Sequence, residues 1–89
     1  MTAIEPPFTP PNAEILRRLA VSDSGFVFDP VSGNSYSLNT TALATLRLMQ
    51  QGLAVDAIVA ALQKNFAGDA AKLEADVMRF VRELGDYFK

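Results

Sequence analysis

The spacing of hydrophobic and polar residues changes once along the chain, near Asn39. Before this point, polar and apolar residues alternate over short runs, as in residues 35–38, and a period of two predicts a strand with one buried face. Turn-forming residues separate these runs at positions 22–25 and 30–34. Residues 14–38 therefore predict three short antiparallel strands, although the segment 13–19 also fits a helix.

After Asn39 the apolar residues recur at helical spacing. Asn39 is a good N-cap, and Gly52 is a typical C-terminal residue for the first helix. A second helix is predicted over about residues 55–65, and a third begins after Asp69. Their apolar stripes are Ala42, Leu46, Met49 and Leu53; Val55, Ile58, Val59, Leu62 and Phe66; and Leu73, Val77, Phe80, Leu84 and Phe88. This order predicts an α+β fold, a winged helix-turn-helix in which a three-stranded antiparallel sheet is followed by three helices.

The 89 residues are enough for one domain only. Residues 1–12 contain four prolines, which predict an extended and flexible arm, and residues 13–89 form the folded domain. The first residues lack the basic start and apolar run of a signal peptide. The expected location is therefore the cytoplasm.

Composition and charge narrow the possible functions. The chain has no histidine and no cysteine, which are the commonest general base, nucleophile and metal ligands. We therefore expect neither an enzyme nor a protein with a cofactor or metal. The formal net charge is −2, and the basic residues are scattered, so neither nucleic acid nor a membrane surface is an expected partner.

Two surfaces can bind another chain. On a helical wheel, Val81 and Met78 lie progressively to one side of the core stripe of the third helix, followed by Arg82, and this flank can form one wall of a groove. The last strand, residues 34–38, lies at a sheet edge whose unpaired backbone groups can accept an extended peptide or a second copy of the chain. A wide core and a protected edge are the alternatives.

Three segments stand out: SGFVFDP at 24–30, GNSYSLN at 33–39 and DVMRFVREL at 76–84, with the spaced pattern Gly52, Ile58, Val59, Leu62 and Phe66 before the last one. In this order they resemble the PqqD-like family, small recognition domains and chaperones for ribosomally made, modified peptides. The likeness covers roughly residues 16–84, and the first two segments are most similar to the subset found with HPr-kinase-like proteins. It implies that a leader peptide binds as an added strand between the third strand and the third helix, and is presented to a modifying enzyme, often a radical SAM protein.

The resemblance and the two surfaces together predict a non-catalytic peptide-binding site. Its residues are Asn34, Ser35, Tyr36, Ser37, Leu38, Val77, Met78, Val81 and Arg82. The alternatives are a docking domain of an HPr-kinase-like system and a winged-helix DNA-binding protein. The helix that would contact DNA, about residues 55–65, carries only Lys64 against Asp56, which is a poor match for phosphates.

Overall fold

A computed structural model describes residues 11–65 and 68–88. In these residues a short helix precedes three strands, and three longer helices follow. The elements are α1 (Ala13–Leu16), β1 (Ala20–Val21), β2 (Phe26–Phe28), β3 (Ser35–Ser37), α2 (Thr40–Gln50), α3 (Val55–Gln63) and α4 (Ala70–Tyr87). The predicted proline-rich arm falls, except for Pro11 and Asn12, outside the described residues.

The first element is a helix, so the prediction of β structure from residue 14 onward is wrong for α1, and the helical alternative for residues 13–19 is confirmed over Ala13–Leu16. The side chain of Asn12 explains the helical start, because its Oδ1 accepts a 2.9 Å hydrogen bond from the amide of Ile15. Leu16 is fully buried and anchors this turn in the core. The first strand is consequently only two residues long, Ala20–Val21.

The three strands form an antiparallel sheet in the order β1-β2-β3. Val27 pairs with Tyr36 and faces the helices, whereas Phe26 and Phe28 pair with Ser37 and Ser35 on the opposite face. Val27 is buried, and both phenylalanines are exposed. The sheet therefore has one face against the core, and β3 is an edge strand of the described structure.

The helix starts agree with the predicted caps. Oδ1 of Asn39 accepts a 2.8 Å hydrogen bond from the amide of Ala42 at the start of α2, and Oδ1 of Asp69 accepts one of 2.9 Å from Ala71 at the start of α4. α2 ends two residues before Gly52, as predicted, and α3 ends at Gln63, slightly earlier than predicted. No helix of the described ranges is long and apolar enough to cross a membrane.

The core lies between the inner face of the sheet and helices α1 to α4. Each of these elements supplies at least one buried apolar side chain, and the buried set is Leu16, Leu19, Val27, Leu46, Met49, Ile58, Val59, Leu73, Val77 and Val81. The sheet with its following helices confirms the predicted α+β, winged-helix-like fold. α4 contacts both α2 and α3, and this packing decides which face of α4 is buried.

Candidate functional site

A groove runs between the edge strand β3 and helix α4. It consists of two adjoining depressions of about 280 and 270 Å³, and both are lined by Ser37, Leu38, Phe80 and Glu83. Tyr36 lies with Tyr87 in the first depression, and Asn39 lies with Asp76 in the second, so the strand and the helix run in opposite directions. The groove therefore has two ends with different linings.

The end near Tyr87 is apolar and the other end is polar. Besides the four shared residues, the apolar end is lined by Leu19, Val27, Tyr36, Leu46, Leu84 and Tyr87. The polar end is lined by Asn39, Thr41, Ala42, Asp76 and Arg79. One end thus suits a bulky apolar side chain, because contact there removes apolar surface from water.

The backbone of β3 has two sets of hydrogen-bonding groups. The amide of Leu38 donates to the carbonyl of Gly25 at 2.8 Å, and the carbonyl of Asn34 accepts from the amide of Asp29 at 2.9 Å. In an antiparallel ladder these bonds belong to alternate residues, so the N–H and C=O groups of Ser35 and Ser37 point away from β2. These groups face the open edge, where an additional strand can pair with them.

Four of the five predicted strand residues lie at this edge or in the groove. Tyr36, Ser37 and Leu38 line the groove, and Ser35 lies on the exposed edge. Asn34 is exposed but does not line the groove, because it belongs to the turn before β3. Its amide donates to Oγ of Ser32 at 3.2 Å, and its carbonyl completes the ladder with Asp29.

The helical part of the predicted site is placed differently. Val77 and Val81 have 0% exposure and belong to the core, so an added strand cannot contact them. Met78 is half-buried and Arg82 is exposed, but neither lines the groove. The predicted flank is therefore corrected: the helix presents the opposite side of its apolar stripe to β3.

The apolar end of the groove is instead lined on the helix by Phe80, Glu83, Leu84 and Tyr87. Their spacing of i, i+3, i+4 and i+7 places them on one helix face. The apolar stripe of the third helix predicts Phe80 and Leu84 in the core, and both pack partly buried against it, but nothing in the stripe predicts a role for Glu83 or Tyr87. The width of the apolar stripe could have indicated this groove wall, because Leu73, Val77 and Val81 by themselves form a buried line along the helix. Phe80 and Leu84 are then available for a second contact.

A buried carboxylate holds Tyr87, which lines the apolar end of the groove. Asp29 is fully buried in the turn between β2 and β3. Its Oδ2 accepts hydrogen bonds from Tyr87 (2.5 Å), Arg18 (3.0 Å) and Ser32 (3.1 Å), and its Oδ1 accepts one from the amide of Val31 at 3.0 Å. We call these five residues the Asp29 cluster. The bond from Tyr87, followed by those from Arg18 and Val31, holds the pKa of Asp29 well below its ordinary value, although burial opposes this shift.

Aromatic rings extend the Asp29 cluster into the groove. The ring of Tyr87 contacts Tyr36 edge to face, with centroids 5.4 Å apart, and contacts Phe88 in the same way at 4.9 Å. The Arg18 guanidinium lies 4.7 Å from the centroid of Phe88. The adjacent Tyr87 hydroxyl, followed by burial, raises the pKa of Tyr36 above its ordinary value. Tyr36 and Tyr87 therefore form a fixed end wall.

The sequence of the strands and helices that form the groove matches a known protein family. The family model described as coenzyme PQQ synthesis protein D (PqqD) matches residues 25–87, which include β2, β3 and all three long helices. The chain belongs to the PqqD family. The matched residues include β3 and α4, the two walls of the groove. The groove therefore lies within the part of the chain that the PqqD family model covers.

Two solved structures share the fold. One is TbiB1 in complex with the TbiA(beta) leader peptide, at 21% identity and a TM-score of 0.66, covering 78% of this chain and 81% of that one. The other is lasso peptide synthetase B1 complexed with the leader peptide, at 23% identity and a TM-score of 0.64, covering 78% and 82%. No curated protein matches this PqqD family member.

Proposed function

We propose that this chain is a non-catalytic peptide-recognition module that acts in the cytoplasm. It binds the leader segment of a precursor peptide as an added strand on β3 and presents the peptide to a modifying enzyme. The observation that carries this proposal is the open edge at Ser35 and Ser37, directly beside the groove along α4. Membership in the PqqD family supports it, as do the leader peptides bound to both structural neighbours.

The geometry determines how an added strand is contacted. Residues opposite each other in paired strands have their side chains on the same face of the sheet. Peptide residues opposite Tyr36 and Leu38 therefore face α4 and enter the groove, and those opposite Ser35 and Ser37 face the other way. The backbone of the two serines binds any extended peptide, so the groove must supply the selectivity.

The small serine side chains favour this mode of binding. Neighbouring strands lie about 4.8 Å apart, so an incoming backbone needs close access to the edge. Ser35 and Ser37 leave this access open, whereas large charged side chains commonly protect an edge. A second copy of the chain would use the same edge, so a homodimer formed through β3 and a bound peptide would compete for this strand.

The modifying enzyme belongs to the same proposal. The resemblance to peptide-recognition domains implies a radical SAM enzyme or an HPr-kinase-like protein as the partner. If the chain only docks on such a protein and binds no peptide, the edge of β3 stays unoccupied. This distinguishes the docking role from peptide recognition. DNA binding has weaker support, since α3 (Val55–Gln63) contains Asp56 and no basic residue to contact phosphates.

Peptide titration of isotope-labelled protein tests the proposal. The probes are the short peptides encoded beside the gene and binders selected from a random 12-residue display library. We expect amide shifts concentrated at residues 35–38 and at Phe80, Glu83, Leu84 and Tyr87. If the folded protein binds none of these peptides, the proposal is wrong.

A matched pair of variants tests the added strand itself. In Ser37→Pro the outward amide is lost while the ladder with β2 is kept, because the Ser37 N–H does not point toward β2. In Ser37→Ala the amide stays and only the hydroxyl is lost. We expect Ser37→Pro to weaken binding at least about tenfold, the equivalent of one lost charge-free hydrogen bond of about 1.4 kcal/mol, and Ser37→Ala to bind normally. Equal affinities would exclude strand addition at this edge.

A further inference from the structure

The polar end of the groove contains a carboxylate with no ion-pair partner in residues 11–65 and 68–88. Three charged side chains line this end: Asp76, Arg79 and Glu83. The Arg79 guanidinium lies 3.0 Å from Oδ1 of Asp76, so the opposite charges of these two side chains cancel. Glu83 is exposed and lines both depressions, so it places one net negative charge where the apolar and polar ends meet.

The spacing of an added strand relates this charge to the apolar end. A peptide residue opposite Tyr36 reaches Leu84 and Tyr87, and the next residue that faces the groove lies two positions away, opposite Leu38. Leu38, Phe80 and Glu83 line the groove at this second position. Along the added strand, the residue at the apolar end of the groove and the residue beside Glu83 are therefore separated by a single residue.

The direction of the added strand sets the order of these two positions. Antiparallel pairing is the more stable arrangement per residue, so we take the peptide to run opposite to β3. The residue opposite Leu38 then comes before the residue opposite Tyr36. We infer that the bound segment, if the chain recognises peptides as proposed, carries a lysine or arginine two positions before a bulky apolar residue.

Phe80 adds to the preference for a cation. The methylene stem of a lysine or arginine can lie along this ring while its charge reaches Glu83. An arginine can also stack on the ring face. A partly exposed ion pair of this kind contributes up to about fivefold in affinity, whereas a like charge at the same place opposes binding.

Selection of peptides by matched variants tests the inference. A random 12-residue display library is selected against the wild type, Glu83→Lys, Glu83→Gln and the control Glu74→Lys. Glu74 is an exposed residue of the same helix that does not line the groove, so this control makes the same charge change elsewhere. Circular dichroism verifies that each variant is folded, and fluorescence anisotropy gives the affinities of synthetic binders.

The expected result is enrichment of Lys or Arg two positions before a bulky apolar residue for the wild type and for Glu74→Lys. The enrichment disappears with Glu83→Gln and turns to Asp or Glu with Glu83→Lys. Replacing the basic residue of a selected peptide by glutamate weakens wild-type binding about fivefold or more and strengthens binding to Glu83→Lys.

Three results would overturn the inference. Binders without a basic preference, or with the same preference in Glu83→Lys, leave peptide recognition intact but remove the role of Glu83. Binders with the apolar residue before the basic one contradict the antiparallel orientation. A library that yields no binder to the folded wild type overturns the inference together with the proposed function.

Discussion

The hydroxyl of Tyr87 donates a 2.5 Å hydrogen bond to Oδ2 of Asp29, which lies 58 residues earlier in the sequence. Asp29 belongs to the turn between β2 and β3, and Tyr87 is the last residue of α4. The bond therefore joins the turn that leads into β3 to the end of α4, at the apolar end of the groove. Because the Tyr87 ring lines that end, Asp29 positions a wall of the groove without lining it.

Tyr87→Phe tests the contribution of this bond. The variant keeps the ring and removes the hydroxyl, so the buried carboxylate loses one of its donors and Ser32 loses a 2.8 Å partner. We expect a lower urea midpoint of unfolding and broader amide resonances around Tyr36. Tyr36→Phe is the control, because Tyr36 makes no hydrogen bond to Asp29 in the described residues. Equal losses in both variants would contradict a special role of the Tyr87 hydroxyl.

Acid should weaken the fold through Asp29. Its pKa in the folded protein lies below the ordinary value of 3.8, so ionised Asp29 stabilises the fold fully above that value. As the pH falls below about 3.8 toward the folded-state pKa, this stabilisation is lost. Urea unfolding at a series of pH values checks the slope, with Asp29→Asn as the reference. The difference between wild type and variant should shrink with acidification, and a constant difference would exclude Asp29 as the cause.

Val81→Asp should unfold the protein, and not only weaken ligand binding in the groove. The side chain of Val81 is fully buried, and an unpaired carboxylate there has no compensating hydrogen bond. Val81→Ala, which only shortens the side chain, should cost about 2 kcal/mol. Ala75→Asp provides the control, because Ala75 is exposed on the same helix. Thermal unfolding followed by circular dichroism distinguishes these cases, and a stable, folded Val81→Asp protein would place Val81 outside the core.

Two glycines of the β turns should respond very differently to alanine. Both have positive φ, 95° at Gly25 and 79° at Gly33, so alanine is strained at either position by about 1 to 2 kcal/mol. A Cβ at Gly25 would also lie 2.6 Å from the carbonyl oxygen of Leu38, whereas one at Gly33 meets nothing within 4 Å. We expect Gly25→Ala to be clearly the less stable variant in urea unfolding. Similar midpoints for the two variants would contradict the close approach of β2 and β3 at Gly25.

The sequence predicted the parts of the fold that depend on local signals. The side-chain caps at Asn39 and Asp69, and the turn residues around Gly25, act over a few residues, and they placed α2, α4 and the sheet correctly. The rotation of α4 depends on long-range packing. Leu73, Val77 and Val81 are buried against α2 and α3, and only this packing turns Phe80 and Leu84 toward β3. The Asp29 cluster was missed for the same reason, because Arg18 and Tyr87 are distant in sequence.

Alternate residues of β3 direct their backbone groups to opposite sides: Tyr36 and Leu38 form hydrogen bonds with the rest of the sheet, and Ser35 and Ser37 face the open edge. Point substitutions in the groove can therefore change which ligand is selected without disturbing this division. Inserting or deleting one residue between Gly33 and Asn39 would exchange these two orientations and turn the serine side chains toward α4. During evolution, ligand preference can therefore diverge by substitution in the groove, whereas the length of β3 has to stay the same.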